Sequence, residues 1–222
     1  MKPIQTLRLV PLALLLSVAL WAGPGCQTTY YNTMEKFGVA KRDILVDRIK
    51  AARNAQQVTK EQFNSALDQF RSTVAMKAGI SDEKYYELNA SFQRCQHRAT
   101  TLNQRIESVE DVAEALFAEW SGELKQYNSV ALRQESEKKM FETRRRYADL
   151  IRQMKLASTK VDPVLVIMHD RVLFLKHNLN AQSVAALDDE LKKVEAEVGS
   201  LVREMEKAIA DADAFIQAMP TR

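Results

Sequence analysis

The side chains best suited to nucleophilic or metal chemistry are few in this 222-residue chain: two cysteines, three histidines and 29 carboxylates. Cys26 follows Gly23-Pro24-Gly25 at the end of an apolar run, and a small residue before such a cysteine resembles a lipobox, where a bacterial lipoprotein is cleaved and its thiol joined as a thioether to diacylglycerol. A lipobox usually carries Leu three residues before the cysteine and Ala or Ser two before, where this chain has Gly23 and Pro24. Cys95 sits on an apolar helical stripe, which suits a small core residue better than a nucleophile. A di-metal carboxylate centre in a helical bundle needs Glu-x-x-His, yet the residues three before the histidines are Arg94, Val166 and Phe174. Paired Cys-x-x-Cys, His-Glu-x-x-His, Gly-rich phosphate loops and Gly-x-Ser-x-Gly are missing too. The expectation is a protein that is not an enzyme, with no catalytic residue, metal or cofactor.

Two further groupings suit recognition. The segment from Asp170 to Asn180, DRVLFLKHNLN, places Phe174, Lys176, His177, Asn178 and Asn180 together with several leucines. One reading is a capped helix end, since Lys and His favour the last carbonyls and Asn tolerates the turn beyond. The other is a distal tip where exposed Phe, a titratable imidazole and amides meet a partner. Arg144-Arg145-Arg146 fans around a helix, and Glu142 is spaced to pair with Arg146, which favours a structural role over an anion site.

The elements that must position these groups follow from composition. Apolar residues make up 46% and charged residues 27%, which excludes disorder, while six glycines and five prolines are too few for a turn-rich β or α/β fold. Three of those prolines and two of the glycines precede Cys26. There Lys2 and Arg8 lead into the apolar run Leu9 to Ala22, the plan of a bacterial secretory signal, too short to span a bilayer as a helix. Removing residues 1–25 takes away two bases and no acid, so the net charge falls from +3 to +1 and argues against a nucleic-acid partner. Gln27, where inner-membrane retention would favour Asp, points to the outer membrane, and Tyr30 and Tyr31 suit the headgroup level or a capped core.

From Tyr85 an uninterrupted heptad seam runs through Leu88, Phe92, Cys95, Ala99, Leu102, Ile106, Val109, Ala113, Leu116 and Trp120. A second joins Val184, Leu187, Leu191, Val194, Val198, Leu201, Met205, Ala208, Ala212, Phe215 and Met219. A rougher first seam links Leu45, Ile49, Ala52, Phe63, Ala66 and Phe70, interrupted by Gln56 and Thr59. The remaining one runs from Met140 through Tyr147, Leu150, Met154, Ala157, Val161, Val164 and Met168, then slips to Val172, Leu175 and Leu179. Capping signals at Gly79 with Ser81, Asn128 with Ser129, and Asn178 to Ser183 predict helices near 30–77, 82–127, 130–179 and 183–218. The expected fold is all-α, an elongated antiparallel four-helix bundle of up-down-up-down order forming one domain over 26–222. Pro163 must kink the third helix or, with Asp162 as N-cap, restart it. Charge agrees with this order. Residues 105–124 and 204–213 are acidic, whereas 41–53 and 133–160 are basic, and the topology puts all four at one end in alternation.

Cys-Gln-Thr-Thr-Tyr-Tyr-x-x-Met-Glu-Lys from Cys26, Lys-Arg-Asp-Ile-Leu-Val-Asp-Arg from Lys41, Val-Glu-Asp-Val-Ala-Glu-Ala-Leu-Phe from Val109 and Leu-Phe-Leu-Lys-His-Asn-Leu-Asn from Leu173 resemble the bacterial domain of unknown function 2959 family. The resemblance spans nearly all of the chain after Cys26. It implies exported, often lipoprotein-like helical proteins without an assigned activity, cofactor or catalytic residue. The lipobox is the departure.

The functional expectation is a non-enzymatic cell-envelope lipoprotein, a helical rod tethered to the membrane by lipid on Cys26. It would lie on the periplasmic side and meet an envelope protein or the cell wall. Self-association is also expected, because the interrupted first seam could complete itself against a second copy. The alternatives are a soluble periplasmic protein, and a carrier of a lipid or other hydrophobic ligand between helices loosened at Pro163, Gln56 and Thr59.

Overall fold

The computed structural model describes residues 40–219, and every element among them is helical. In chain order these are α1 (Lys41–Val74), α2 (Asp82–Glu123), a 3-10 turn (Leu124–Gln126), α3 (Val130–Thr159), α4 (Val161–Leu175), the single turn α5 (Ala181–Ala185) and α6 (Asp188–Ala218). The signal, Cys26 and Gln27, the tyrosines at 30 and 31, and the first ten residues of the helix expected from 30 lie outside the described residues.

The helix starts obey the capping signals. The Ser81 hydroxyl accepts from the Lys84 N–H at 3.3 Å, Ser129 from Leu132 at 3.4 Å, and the Asn180 amide oxygen from Ser183 at 2.9 Å. The seams then decide the packing. α1 lies between α2 and α6, while α3 and α4 each touch both α2 and α6. Contacts run in opposite numerical order along neighbouring helices. Lys41 meets Glu119, Thr59 meets Arg98 and the Cys95 thiol meets the Gln62 carbonyl, whereas on the other side Arg53 meets Asp213 and Arg71 meets Glu195. One continuous core results, with Leu45, Phe63, Leu102, Met154, Leu201 and Met205 among its fully buried side chains.

The third and fourth spans are each divided, the third by the restart that Pro163 allowed and the fourth by a break its seam did not predict. The span near 130–179 is divided at Lys160, whose N–H turns back to the Ala157 carbonyl at 3.3 Å. Pro163 has no N–H for the Thr159 carbonyl, so the ladder stops there and restarts with Pro163 in the first turn of α4, where that N–H has no partner to lose. The break falls at Lys160, two residues before the expected cap at Asp162. Ala157, Val161 and Val164 stay buried, so the apolar stripe survives the backbone break. The last span is likewise divided, with a turn at Ala186 and Leu187 between α5 and α6, yet Val184 and Leu187 are buried as the seam requires.

The first half of α3 is largely exposed ahead of its seam, whose Met140 and Tyr147 are half-buried against the core. Val130, Leu132 and Phe141 are 59%, 61% and 66% exposed, and burial begins only at Leu150. α6 runs out at Ala218, which lies beside Arg146, so earlier residues of α3 have no described part of α6 alongside.

Candidate functional site

The Asp170–Asn180 segment forms the end of α4 and its exit, at the end of the molecule opposite the Lys41–Glu119 contact. Phe174 is 39% exposed, Leu173 is more so, and Lys176 and His177 are exposed as well. The two asparagines serve the backbone. The Asn178 amide nitrogen donates to the Phe174 carbonyl at 2.8 Å and closes α4, and Asn180 caps α5. Lys176 forms the C-cap itself, its N–H reaching the Val172 carbonyl at 3.1 Å. Of the five residues singled out from sequence, Phe174 lines a groove. That cleft of about 230 Å³ lies between α4 and the start of α6 and also includes Arg171, Leu187 and Glu190.

Arg171 and Glu190 were not legible as a pair. The Arg171 guanidinium donates to the Glu190 carboxylate across the groove and to the Ile167 carbonyl at 3.1 Å, while Lys193 approaches Glu190 from the other side at 2.7 Å. Their pairing depends on the turn between α4 and α6, and no local period signals it.

A second tie holds this end together. The Ile80 N–H donates to the Leu179 carbonyl at 2.8 Å, and Gly79 bridges to Asn180, so the α1–α2 corner is clamped to the α4–α5 corner. Gly79 has φ +95°, and a Cβ there would stand 2.6 Å from the Leu179 oxygen. Only glycine takes that backbone without strain and leaves room for the carbonyl. The sequence marks Gly79 as a corner but carries no sign of the clamp.

Cys95 is fully buried, and burial pushes its thiol up to about 12, so it is protonated at neutral pH. Burial, helped by Glu110, Asp111 and Glu114, also pushes the Tyr147 phenol up to about 12. The Trp120 indole donates to the Ser136 hydroxyl at 2.9 Å. Among the described residues no three His, Cys, Asp or Glu side chains cluster as a metal site, and no helix is long and apolar enough to cross a membrane. The expected Glu142–Arg146 pair is not formed. Arg146 is exposed and Glu142 half-buried, and Arg144 lies over the Phe117 ring at 5.2 Å. The expected complementarity between helices is present elsewhere, in Lys41–Glu119 at 3.0 Å, Lys155–Glu110 at 2.8 Å and three pairs between α1 and α6.

These features define an all-α protein of long, mutually packed helices with a clamped tip. The chain belongs to the family described as Protein of unknown function (DUF2959), which matches residues 30–219. No curated protein matches it.

Proposed function

We propose that this chain is a non-enzymatic cell-envelope lipoprotein: a rigid up-down-up-down bundle in which α3 with α4, and α5 with α6, each act as one leg. Lipid on Cys26 tethers it to the periplasmic side, Gln27 favours the outer membrane, and the far end meets an envelope protein or the cell wall. One observation carries this reading. The chain enters α1 at one end, and the clamped corners with exposed Leu173, Phe174 and His177 lie at the other. α2 alone, at 42 residues, separates them by about 63 Å. A tether at Cys26 would then hold the tip well clear of a bilayer. Three acyl chains anchor far more firmly than one.

Two experiments test the halves separately. Cys26→Ser should release the protein from the membrane fraction and abolish palmitate incorporation; membrane retention with no labelled wild-type protein would sink the tether. A photoreactive residue at His177 should crosslink in cells to a discrete partner or to wall material, and a blank result there removes the docking role of the tip.

A ligand-carrier reading keeps one specific support. Gln56 is fully buried with neither amide atom hydrogen-bonded to the protein, and it lies level with the α3–α4 break, because Thr59 touches Arg98 and nearby Asn103 pairs with Ser158. An amide in such a site gains from a polar partner. Native mass spectrometry finding no co-purified small molecule counts against it. The first seam is buried within the chain at Gln56 and Thr59, so self-association is proposed instead through the exposed Val130 and Phe141 of α3, and sedimentation independent of concentration would exclude it.

A further inference from the structure

The outer groove between α1 and α2 contains about 290 Å³ and is lined from α2 by Arg98, Thr101 and Arg105, and from α1 by Ala51, Asn54, Ala55, Val58 and Thr59. No acid lines it. Arg98 and Arg105 are both exposed and form no ion pair among the described residues. On the opposite edge of α1, each of Arg53, Lys60 and Arg71 is met by a carboxylate of α6. Two guanidinium groups therefore face a groove whose other wall is uncharged.

Donor geometry indicates what would fill it. Arg98 and Arg105 are seven residues apart on one edge of α2, about 10.5 Å along the axis, a gap their long side chains can close from both sides. Asn54 Oδ1 is taken by the Arg53 guanidinium at 2.9 Å, which leaves the amide N–H2 of Asn54 as a donor from the α1 wall. The Thr101 hydroxyl donates to the His97 carbonyl at 3.0 Å, leaving its oxygen as an acceptor. Donors from both walls suit a tetrahedral phosphate group better than a planar carboxylate that one guanidinium fork would satisfy. Next to them, Ala51, Ala55 and Val58 form a small apolar shelf with no charged group.

We propose that this groove is a phosphate-binding site in which Arg98 and Arg105 grip the phosphate of a ligand whose apolar part lies along Ala51, Ala55 and Val58. The phosphate has two possible sources, a phospholipid headgroup or a water-soluble phosphate ester. The site is independent of the tether, so it is tested on the full chain carrying Cys26→Ser. Calorimetric titrations use three probes: dihexanoylphosphatidylglycerol below its micelle concentration, glycerol 3-phosphate and inorganic phosphate.

Tighter binding of the short-chain lipid than of the other two assigns a lipid headgroup; equal binding of glycerol 3-phosphate assigns a soluble ester. In either case R98Q/R105Q should weaken binding about tenfold or more, and R71Q, on the edge facing α6 and away from the groove, should leave it unchanged. Helical circular dichroism and the melting temperature of each variant establish that the fold is kept, as expected for exposed arginines. No binding of any probe at physiological ionic strength, or equal binding by the folded double variant, overturns the proposal.

Discussion

The two edges of α1 flank the same buried seam, yet they are finished differently. Toward α6, Arg53, Lys60 and Arg71 meet Asp213, Glu206 and Glu195 at 2.8, 3.4 and 2.7 Å. Toward α2, Lys41 meets Glu119 near the start, after which α1 presents Ala51, Ala55 and Val58 to unpaired Arg98 and Arg105. The contrast separates two roles of charge. Apolar burial holds both neighbours, while the ion pairs tell α6 from other acidic stretches and fix its register. An edge that needs no such pairing is free to carry a site.

The largest effect is expected where both edges share one residue. Phe63 is fully buried, and Phe63→Ala should cost about 3–5 kcal/mol in urea unfolding. A smaller loss would mean that the seam is not the common support of the two edges.

Alkali should act on the α2 edge through Cys95. Cys95 packs there against the Gln62 carbonyl, and its thiol is raised from 9.0 to about 12 in the folded chain. A raised acid pKa means the stabilisation is complete below pH 9 and fades as the pH climbs toward 12. The stability difference between wild type and Cys95→Ala should therefore shrink above pH 9; a difference constant with pH contradicts the buried thiol.

Gln56→Leu should raise stability by about 1–3 kcal/mol, because it removes a buried amide with no protein partner from the level where α3 gives way to α4. Destabilisation by that change would show that the amide has a partner in solution.

The smallest effect sharpens the comparison most. Arg71 is raised above its ordinary pKa by its bonds to Glu195 and then Asp68, but all three are largely solvated. Arg71→Gln should cost no more than about 1 kcal/mol, less in high salt, while Arg98→Gln should cost nothing. Equal losses at the two positions would erase the distinction between the edges.

Much of the fold is written locally. The seams through Tyr85–Trp120 and Val184–Phe215 name the buried residues of α2 and α6 almost one for one, and Ser81, Ser129 and Asn180 mark where helices begin. The candidate tip was legible as a segment, DRVLFLKHNLN, and Asn178 and Asn180 as its capping residues, but its tertiary partners were not. Phe174 turns to a groove formed with α6, and the Gly79 clamp joins corners some hundred residues apart in sequence. Val130 and Phe141 lie off the third seam and stay exposed, whereas Met140 and Tyr147 on that seam are half-buried against the core.

The sequence by itself determined that this is an all-α chain, which faces of its helices are apolar and which stretches carry each charge, because periods of three and four residues and capping hydrogen bonds are properties of neighbours along the chain. Only the tertiary structure decided that the Gly79 corner is clamped to Asn180, that Arg171 finds Glu190, and that the edge of α1 toward α6 is laced by ion pairs while the edge toward α2 carries a groove. Those depend on the relative height of packed helices, which is set by the sum of many side-chain contacts and by no single stretch of sequence.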